Sequence, residues 1–133
     1  MPTKTKLTPV EWEIMEAIWD LGGSPSVREV LENKFTDRKR AYTTVQTIMN
    51  TLMVKGMLSR KKIGLVNFYR PTKPRQSMVK SEVGSMISRV FKGSAPALAN
   101  YLIDSENLTL AEIDDIKNLL TAKEKQLRES KND

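Results

Sequence analysis

Apolar residues repeat at intervals of three and four in three stretches of the first half of the chain, which is the spacing of one helical face. The stretches cover about residues 8–21, 27–35 and 41–56. A hydroxyl residue followed three positions later by glutamate, the pattern of a capping box, occurs at three predicted helix starts: Thr8 with Glu11, Ser26 with Glu29, and Thr109 with Glu112. The pattern therefore predicts three consecutive helices in this half and another that begins near residue 109.

The pattern becomes strand-like after Gly56. The segments "MLSRKKI" and "VNFYRP" lie on either side of Gly64, so we expect a β-hairpin with its tip near this glycine and with Pro71 ending the second strand. Helical spacing then returns. The three further helices that it predicts cover about residues 74–91, 95–103 and 110–128.

This order of elements predicts a mainly α protein with a small β-hairpin wing. We expect a winged helix-turn-helix DNA-binding domain over residues 1–73 and a helical dimerisation region over residues 74–133. The apolar stripes of the second region exceed what three helices can bury alone, so a second copy of the chain is expected to cover them. The predicted dimer core consists of Val83, Ile87, Val90, Tyr101, Leu102, Ile113, Ile116 and Leu120. A monomer whose last helices fold back onto the winged helix is the alternative.

One face of the third predicted helix is built from short, neutral side chains, and we refer to it as the polar face. Its members are Thr43, Thr44, Gln46, Thr47, Asn50 and Thr51. Threonine and asparagine are poor helix formers, so a face that met only solvent would favour Glu, Lys or Gln. The pattern therefore indicates a binding surface. A helix surface of locally poor propensity without a partner is the alternative interpretation.

Charge is distributed unevenly along the chain. The net charge is +6, and residues 1–73 carry all of it, with 13 basic and 7 acidic side chains, whereas residues 74–133 carry 9 of each. The 44 residues from Arg38 to Ser81 contain eleven basic side chains and no acidic one. Such a segment is attracted to nucleic-acid phosphates, although lysines on a hairpin also protect exposed strand edges from aggregation.

The polar face and the basic segment together indicate binding to double-stranded DNA. In a winged helix-turn-helix domain the helix after the turn enters the major groove, where hydroxyls read base edges and Asn or Gln can pair with adenine through two hydrogen bonds. The residues predicted to read bases are Thr43, Thr44, Gln46, Thr47 and Asn50. The residues predicted to contact phosphates are Arg38, Lys39, Arg40, Tyr42, Arg60, Lys61 and Lys62.

The composition argues against an enzyme. The chain has no Cys and no His, and it contains neither a glycine-rich phosphate loop nor a G-x-S-x-G motif. We therefore expect no cofactor and no metal site. The sequence also has no run of eighteen apolar residues and no apolar segment behind its first lysines, so we expect no membrane span, no signal peptide and a cytoplasmic location.

Three segments of the chain read "LTPVEWEIMEAIWDLGGSPSVREVLE", "TTVQTIMNTLMVKGML" and "NFYRPT". They resemble the penicillinase-repressor family of bacterial transcription regulators, BlaI and MecI and their relatives. The resemblance is strongest from Leu7 to Thr72 and continues to about Leu127. It implies a homodimer that blocks transcription at a palindromic operator. The positions that match the base-contacting residues of the family are Thr43, Thr44 and Gln46.

The same resemblance implies that the repressor is inactivated by proteolysis and that a sensor protease is a partner. Relatives are cleaved at an Asn-aromatic bond in a short helix of the second region, and Asn100 and Tyr101 lie where that bond is expected. The alternative is that Tyr101 and Leu102 belong to the dimer core and that Asn100 is incidental.

Two other functions are compatible with this fold, a protein-interaction module and a regulator gated by a small ligand. The acid-free segment argues against the first, and the scarcity of polar residues on the apolar stripes argues against the ligand pocket that the second requires. Salt dependence distinguishes DNA binding from a protein interaction, because binding through DNA phosphates weakens steeply with salt whereas an apolar protein interface barely responds.

Overall fold

The computed structural model describes residues 6–35, 41–105 and 107–131. Within these ranges the chain forms six α helices and one antiparallel pair of strands. The elements are α1 (Pro9–Leu21), α2 (Val27–Lys34), α3 (Tyr42–Val54), β1 (Leu58–Ile63), β2 (Val66–Pro71), α4 (Arg75–Val90), α5 (Ala95–Asp104) and α6 (Leu110–Lys131). The prediction of a mainly α fold with a hairpin wing after the third helix is confirmed.

The three predicted capping boxes are all present. At the start of α1 the Thr8 hydroxyl accepts a hydrogen bond from the amide of Glu11 (3.2 Å), and the Glu11 carboxylate accepts one from the amide of Thr8 (2.8 Å). The same reciprocal bonds join Ser26 with Glu29 and Thr109 with Glu112. These bonds satisfy first-turn amides that have no partner inside the helix, which explains why the helices begin there.

The core of the first half lies between α1, α2, α3 and the hairpin. Val45, Met49 and Leu52 of α3 are fully buried, which confirms the predicted apolar face of this helix. The other large side chains without exposed surface are Ile14, Met15, Ile18, Val30 and Tyr69. Burying each aliphatic side chain of this size contributes about 1.5 to 3 kcal/mol, so the core fixes the rotation of α3 about its own axis.

The hairpin turns at Gly64, whose φ of +65° lies in the left-handed region that a residue with a Cβ adopts only under strain. Leu58 is paired with Pro71 at the open end, and Ile63 with Val66 at the tip. The predicted tip and strand limits are therefore confirmed.

Strand β2 is attached to the start of α2 as well as to β1. The Tyr69 amide donates a hydrogen bond to the Pro25 carbonyl at 2.9 Å, and an antiparallel bridge joins Ser26 to Phe68. The wing is thus held against the helical core by backbone contacts on one side and by the buried Tyr69 ring on the other.

Two polar contacts fix the beginning of α4 on α1. The Arg75 guanidinium forms two hydrogen bonds with the Glu16 carboxylate, at 2.6 and 3.2 Å. The Trp19 indole Nε1 donates to the Lys73 carbonyl at 3.1 Å. The chain that leaves the hairpin is therefore held against α1 at residues 73 and 75.

The chain divides into two compact units, Met1–Gly84 and Ser85–Asp133. This division falls within α4, whereas the sequence analysis places the change of region at residue 73. In the second unit the described side chains are half-buried or exposed, and the rings of Phe91 and Tyr101 lie 6.3 Å apart. Among the residues that the structure describes, no helix is both long enough and apolar enough to span a bilayer.

An ion pair with one buried member joins α1 to the end of α3. Lys55 Nζ donates to Glu11 Oε1 at 2.7 Å and to the Lys6 carbonyl at 3.1 Å, and the Glu11 side chain is only 8% exposed. Burial by itself raises the pKa of Glu11, but the hydrogen bonds from Lys55 and Thr8 outweigh it and hold the pKa below 4.5.

We expect Glu11→Gln to lower the free energy of unfolding by about 1 to 3 kcal/mol at neutral pH, because it removes the charged partner of Lys55. Since folding lowers the pKa of Glu11, the contribution of the carboxylate is present above pH 4.5 and is lost as the pH falls through the lowered pKa. Urea unfolding at neutral and acidic pH measures both effects.

Glu32→Gln is the matched control for this variant. Its ion pair with Arg28 is exposed at both ends, so its loss should change stability by less than about 1 kcal/mol. Equal destabilisation by the two variants, or a Glu11→Gln effect that does not shrink in acid, would contradict the assignment.

Candidate nucleic-acid interface

The polar face of α3 points away from the core. Thr43, Thr44 and Thr47 are exposed, and Gln46 and Asn50 are half-buried. Because the opposite face of α3 is fully buried, these side chains are presented together on one side of the domain. The exposed hydroxyls and amides can donate and accept hydrogen bonds to an external partner.

The start of α3 is favourable for negative charge. Its N-cap is Ala41, whose methyl side chain cannot accept a hydrogen bond, and the first turn contains no acidic residue. Among the residues that the structure describes, no side chain accepts a hydrogen bond from the first-turn amides, so these amides and the positive end of the helix dipole favour an anion. Nearby, the Arg28 guanidinium of α2 lies 5.2 Å from the centre of the Tyr42 ring, which adds a positive charge beside this turn.

Arg28 was not among the residues predicted from the sequence. It lies in the first turn of α2, and its spacing does not differ from that of a solvated arginine on a helix surface. Only the packing of α2 beside the start of α3 places it near Tyr42.

The three basic residues of the wing are exposed on β1. Side chains alternate along a strand, so Arg60 and Lys62 extend from the face of the hairpin that carries Tyr69, and Lys61 extends from the other face. Of the three wing residues predicted to contact phosphates, two therefore lie on the same side of the hairpin as Tyr69, the core-facing residue of β2.

A hydrogen-bonded group links α3 directly to both strands of the wing. Asn50 Oδ1 accepts from the Tyr69 hydroxyl at 2.7 Å and from Arg60 Nη1 at 3.1 Å. The sequence places Asn50 on the polar face and Arg60 on the wing, but the spacing does not indicate that they meet. Arg60, predicted as a phosphate contact, is thus also a partner of Asn50.

A cleft of about 250 Å³ lies between the polar face of α3 and the wing. Its lining residues are Ser26, Val27, Arg28, Tyr42, Gln46, Leu65, Val66, Asn67 and Tyr69. Leu65, at the tip of the wing, is 94% exposed. The cleft places the side chain of Gln46 beside the wing, so α3 and the hairpin form one continuous surface.

Arg38, Lys39 and Arg40 complete the predicted phosphate contacts. They lie outside the described residues, so their part in this surface stays a prediction from the sequence.

The sequence of the chain is related to a known protein family. A sequence profile of the family described as penicillinase repressor matches residues 7–122. The chain belongs to the penicillinase repressor family. This family consists of DNA-binding transcriptional repressors and not of enzymes, as the sequence analysis predicts.

The similar proteins include named regulators. The methicillin resistance regulatory protein MecI of Mammaliicoccus sciuri is 27% identical over 92% of this chain and 100% of its own length. The penicillinase repressor of Bacillus licheniformis is 24% identical over 86% of this chain and 89% of its own length. The alignments therefore extend beyond the winged helix into the second unit.

A solved structure is also similar. The solution structure of the DNA-binding domain of the repressor BlaI is 28% identical, with a TM-score of 0.49, and the match covers 56% of this chain and 90% of that domain.

We expect Lys62→Ala to weaken binding to all DNA sequences by a similar factor, because a phosphate contact carries no sequence information. The slope of log affinity against log salt concentration should fall by about one unit. Fluorescence anisotropy with specific and scrambled duplexes, each over a series of salt concentrations, measures this change.

Lys34→Ala is the charge-matched control. Lys34 lies at the end of α2, pairs with Asp20 of α1 at 3.6 Å and is not one of the predicted DNA contacts. Its removal should leave the salt slope unchanged, and an equal fall for both variants would show that net charge alone sets the affinity.

Proposed function

We propose that the protein is a homodimeric repressor that inserts α3 of each copy into the major groove of one half of a palindromic operator. The observation that carries this proposal is the outward direction of the polar face, which follows from the complete burial of Val45, Met49 and Leu52 behind it. Binding at an operator excludes other proteins from that DNA, which is sufficient for repression.

Thr43, Thr44, Gln46 and Thr47 are the proposed base-reading residues. They occupy the first two turns of α3, the part of a recognition helix that enters deepest into the groove. Threonine offers a hydroxyl and a methyl group that can contact thymine, and glutamine can form two hydrogen bonds with adenine. Gln46 is half-buried beside the wing, which restricts its side chain and favours selective contact.

The proposed phosphate contacts surround the base-reading residues. Tyr42 and the first-turn amides lie at one end of α3, and Lys61 and Lys62 lie on the wing. Arg38, Lys39 and Arg40 precede the helix in sequence. Such contacts fix the register of the protein on the duplex and supply affinity that depends on salt.

The proposed dimer contact is in the second region of the chain. Its helices expose large apolar side chains, which is unusual for a helix that meets only water. Six residues of the predicted dimer core are exposed in the single chain: Val83, Val90, Tyr101, Leu102, Ile116 and Leu120. A symmetric pair would place two recognition helices about 34 Å apart, one turn of DNA.

Control by proteolysis is the part of the proposal that concerns regulation. Asn100 and Tyr101 are exposed in α5, and the Tyr101 side chain is 67% exposed. Because proteases bind their substrates as extended chains, cleavage at this bond requires α5 to unwind locally. A sensor protease is the proposed partner, and repression takes place where the chromosome lies, in the cytoplasm of a bacterium.

We expect Gln46→Ala to weaken specific binding by about 1 to 3 kcal/mol and to leave non-specific binding almost unchanged. The measurement is gel-shift titration with DNA from upstream of the protein's own gene and with a scrambled duplex. Gln76→Ala, an exposed glutamine in the first turn of α4, is the matched control. Equal loss on both DNAs would remove Gln46 from base reading.

We expect Leu120→Asp to shift the protein from dimer to monomer, since a carboxylate buried in an apolar interface loses its hydration. Sedimentation velocity over a concentration series measures the association. The adjacent variant Thr121→Asp adds the same charge about 100° further around α6 and should have a smaller effect. A wild-type protein that sediments as a monomer at micromolar concentration would contradict the proposed dimer.

A further inference from the structure

The Asn50 side chain is fixed by its two hydrogen bonds, and these also determine which of its atoms faces outward. Arginine nitrogens can only donate, so the Asn50 atom 3.1 Å from Arg60 Nη1 must be the carbonyl oxygen. The Tyr69 hydroxyl donates to the same oxygen at 2.7 Å. The two lone pairs of Oδ1 are thereby both occupied.

Only donors remain on this side chain. The Nδ2 amide group carries two N–H bonds, and among the residues that the structure describes it has no hydrogen-bond partner. Asn50 follows Thr47 by three positions, Gln46 by four and Thr43 by seven, so all four share one side of α3. The donors are therefore displayed at the end of the polar face nearest the wing.

The anchor of this arrangement is rigid. Tyr69 has no exposed surface, its amide is bound to the Pro25 carbonyl, and in the strand register it lies directly opposite Arg60. Both donors to Asn50 thus come from a cross-strand pair whose position is set by the core. Arg60 has further N–H groups, so it can meet a phosphate while Nη1 stays on Asn50.

We propose that Asn50 is a specificity-determining residue that presents donors only and therefore selects a hydrogen-bond acceptor on the operator. The acceptor is a base edge in the major groove: O6 and N7 of guanine, O4 of thymine or N7 of adenine, whereas cytosine presents only an amino donor there. Asn50 does not form the two-bond pair with adenine that its residue type suggests, because that pair needs a free amide oxygen. This inference rests on the proposed insertion of α3 into the major groove.

The first test is selection of binding sites from duplexes randomised at each operator position, performed with the full chain. Wild type should reject cytosine and prefer guanine, which offers two acceptors, at one position beyond that read by Gln46. Asn50→Asp keeps an oxygen toward Tyr69 and Arg60 but turns the outward group into an acceptor. It should lose this preference by about tenfold or more and favour cytosine, whose amino group donates.

Tyr69→Phe is the complementary variant, because it removes one donor to Asn50 and leaves the ring in the core. One lone pair of Oδ1 then becomes free, so Asn50 can form the two-bond pair with adenine. Adenine should therefore be less disfavoured at the same position. Thermal unfolding of both variants shows whether they are folded, and Tyr69→Phe tests the inference even where Asn50→Asp is unstable.

The possible sources of the acceptor give different results. A base acceptor produces a preference at one position. Uniform weakening of specific and non-specific binding, reproduced by a neutral methylphosphonate at a single phosphate of the wild-type complex, would show a phosphate contact and overturn the inference. A wild-type preference at this position for adenine over guanine, or for cytosine, that Asn50→Asp abolishes would overturn the inference. So would an unchanged ratio of specific to non-specific affinity in a folded Asn50→Asp.

Gln46→Ala separates this inference from the proposed function. If it loses specificity while Asn50→Asp retains it, the major-groove model stands and the role of Asn50 is rejected. If the wild type shows no sequence preference at all, both are rejected.

Discussion

The burial of one face of α3 is the constraint on which the rest of the surface depends. Val45, Met49 and Leu52 have no exposed area, so rotating the helix by even a fraction of a turn would expose apolar side chains and bury threonine hydroxyls without partners. The same packing that stabilises the domain therefore turns the polar face of α3 away from the core. The outward direction of the polar face and the stability of the domain are two consequences of one helix orientation.

The wing depends on the same core through Tyr69. Its ring is buried against the helices, its hydroxyl reaches Asn50 on α3, and its amide binds the segment before α2. An isolated two-stranded hairpin is at best marginally stable in water, and here one tyrosine connects it to three other parts of the fold. The position of the wing relative to α3 is consequently set within the protein itself.

Much of this arrangement could be predicted from the sequence because local rules determine it. Capping boxes locate helix starts, Gly64 locates the hairpin tip, and the spacing of Val45, Met49 and Leu52 identifies the buried face. The bonds of Asn50 and the position of Arg28 beside Tyr42 depend on how separate elements pack. No periodicity within one segment encodes such contacts between segments.

The attachment of β2 to residues 25 and 26 uses backbone atoms. A backbone bond imposes almost no requirement on the side chains that extend from the outer part of the hairpin. Charged, polar or apolar residues can therefore replace one another near Gly64 without loss of the strand's position. An exposed leucine at residue 65 illustrates this freedom. The wing can therefore change in sequence while the scaffold that carries it keeps its position.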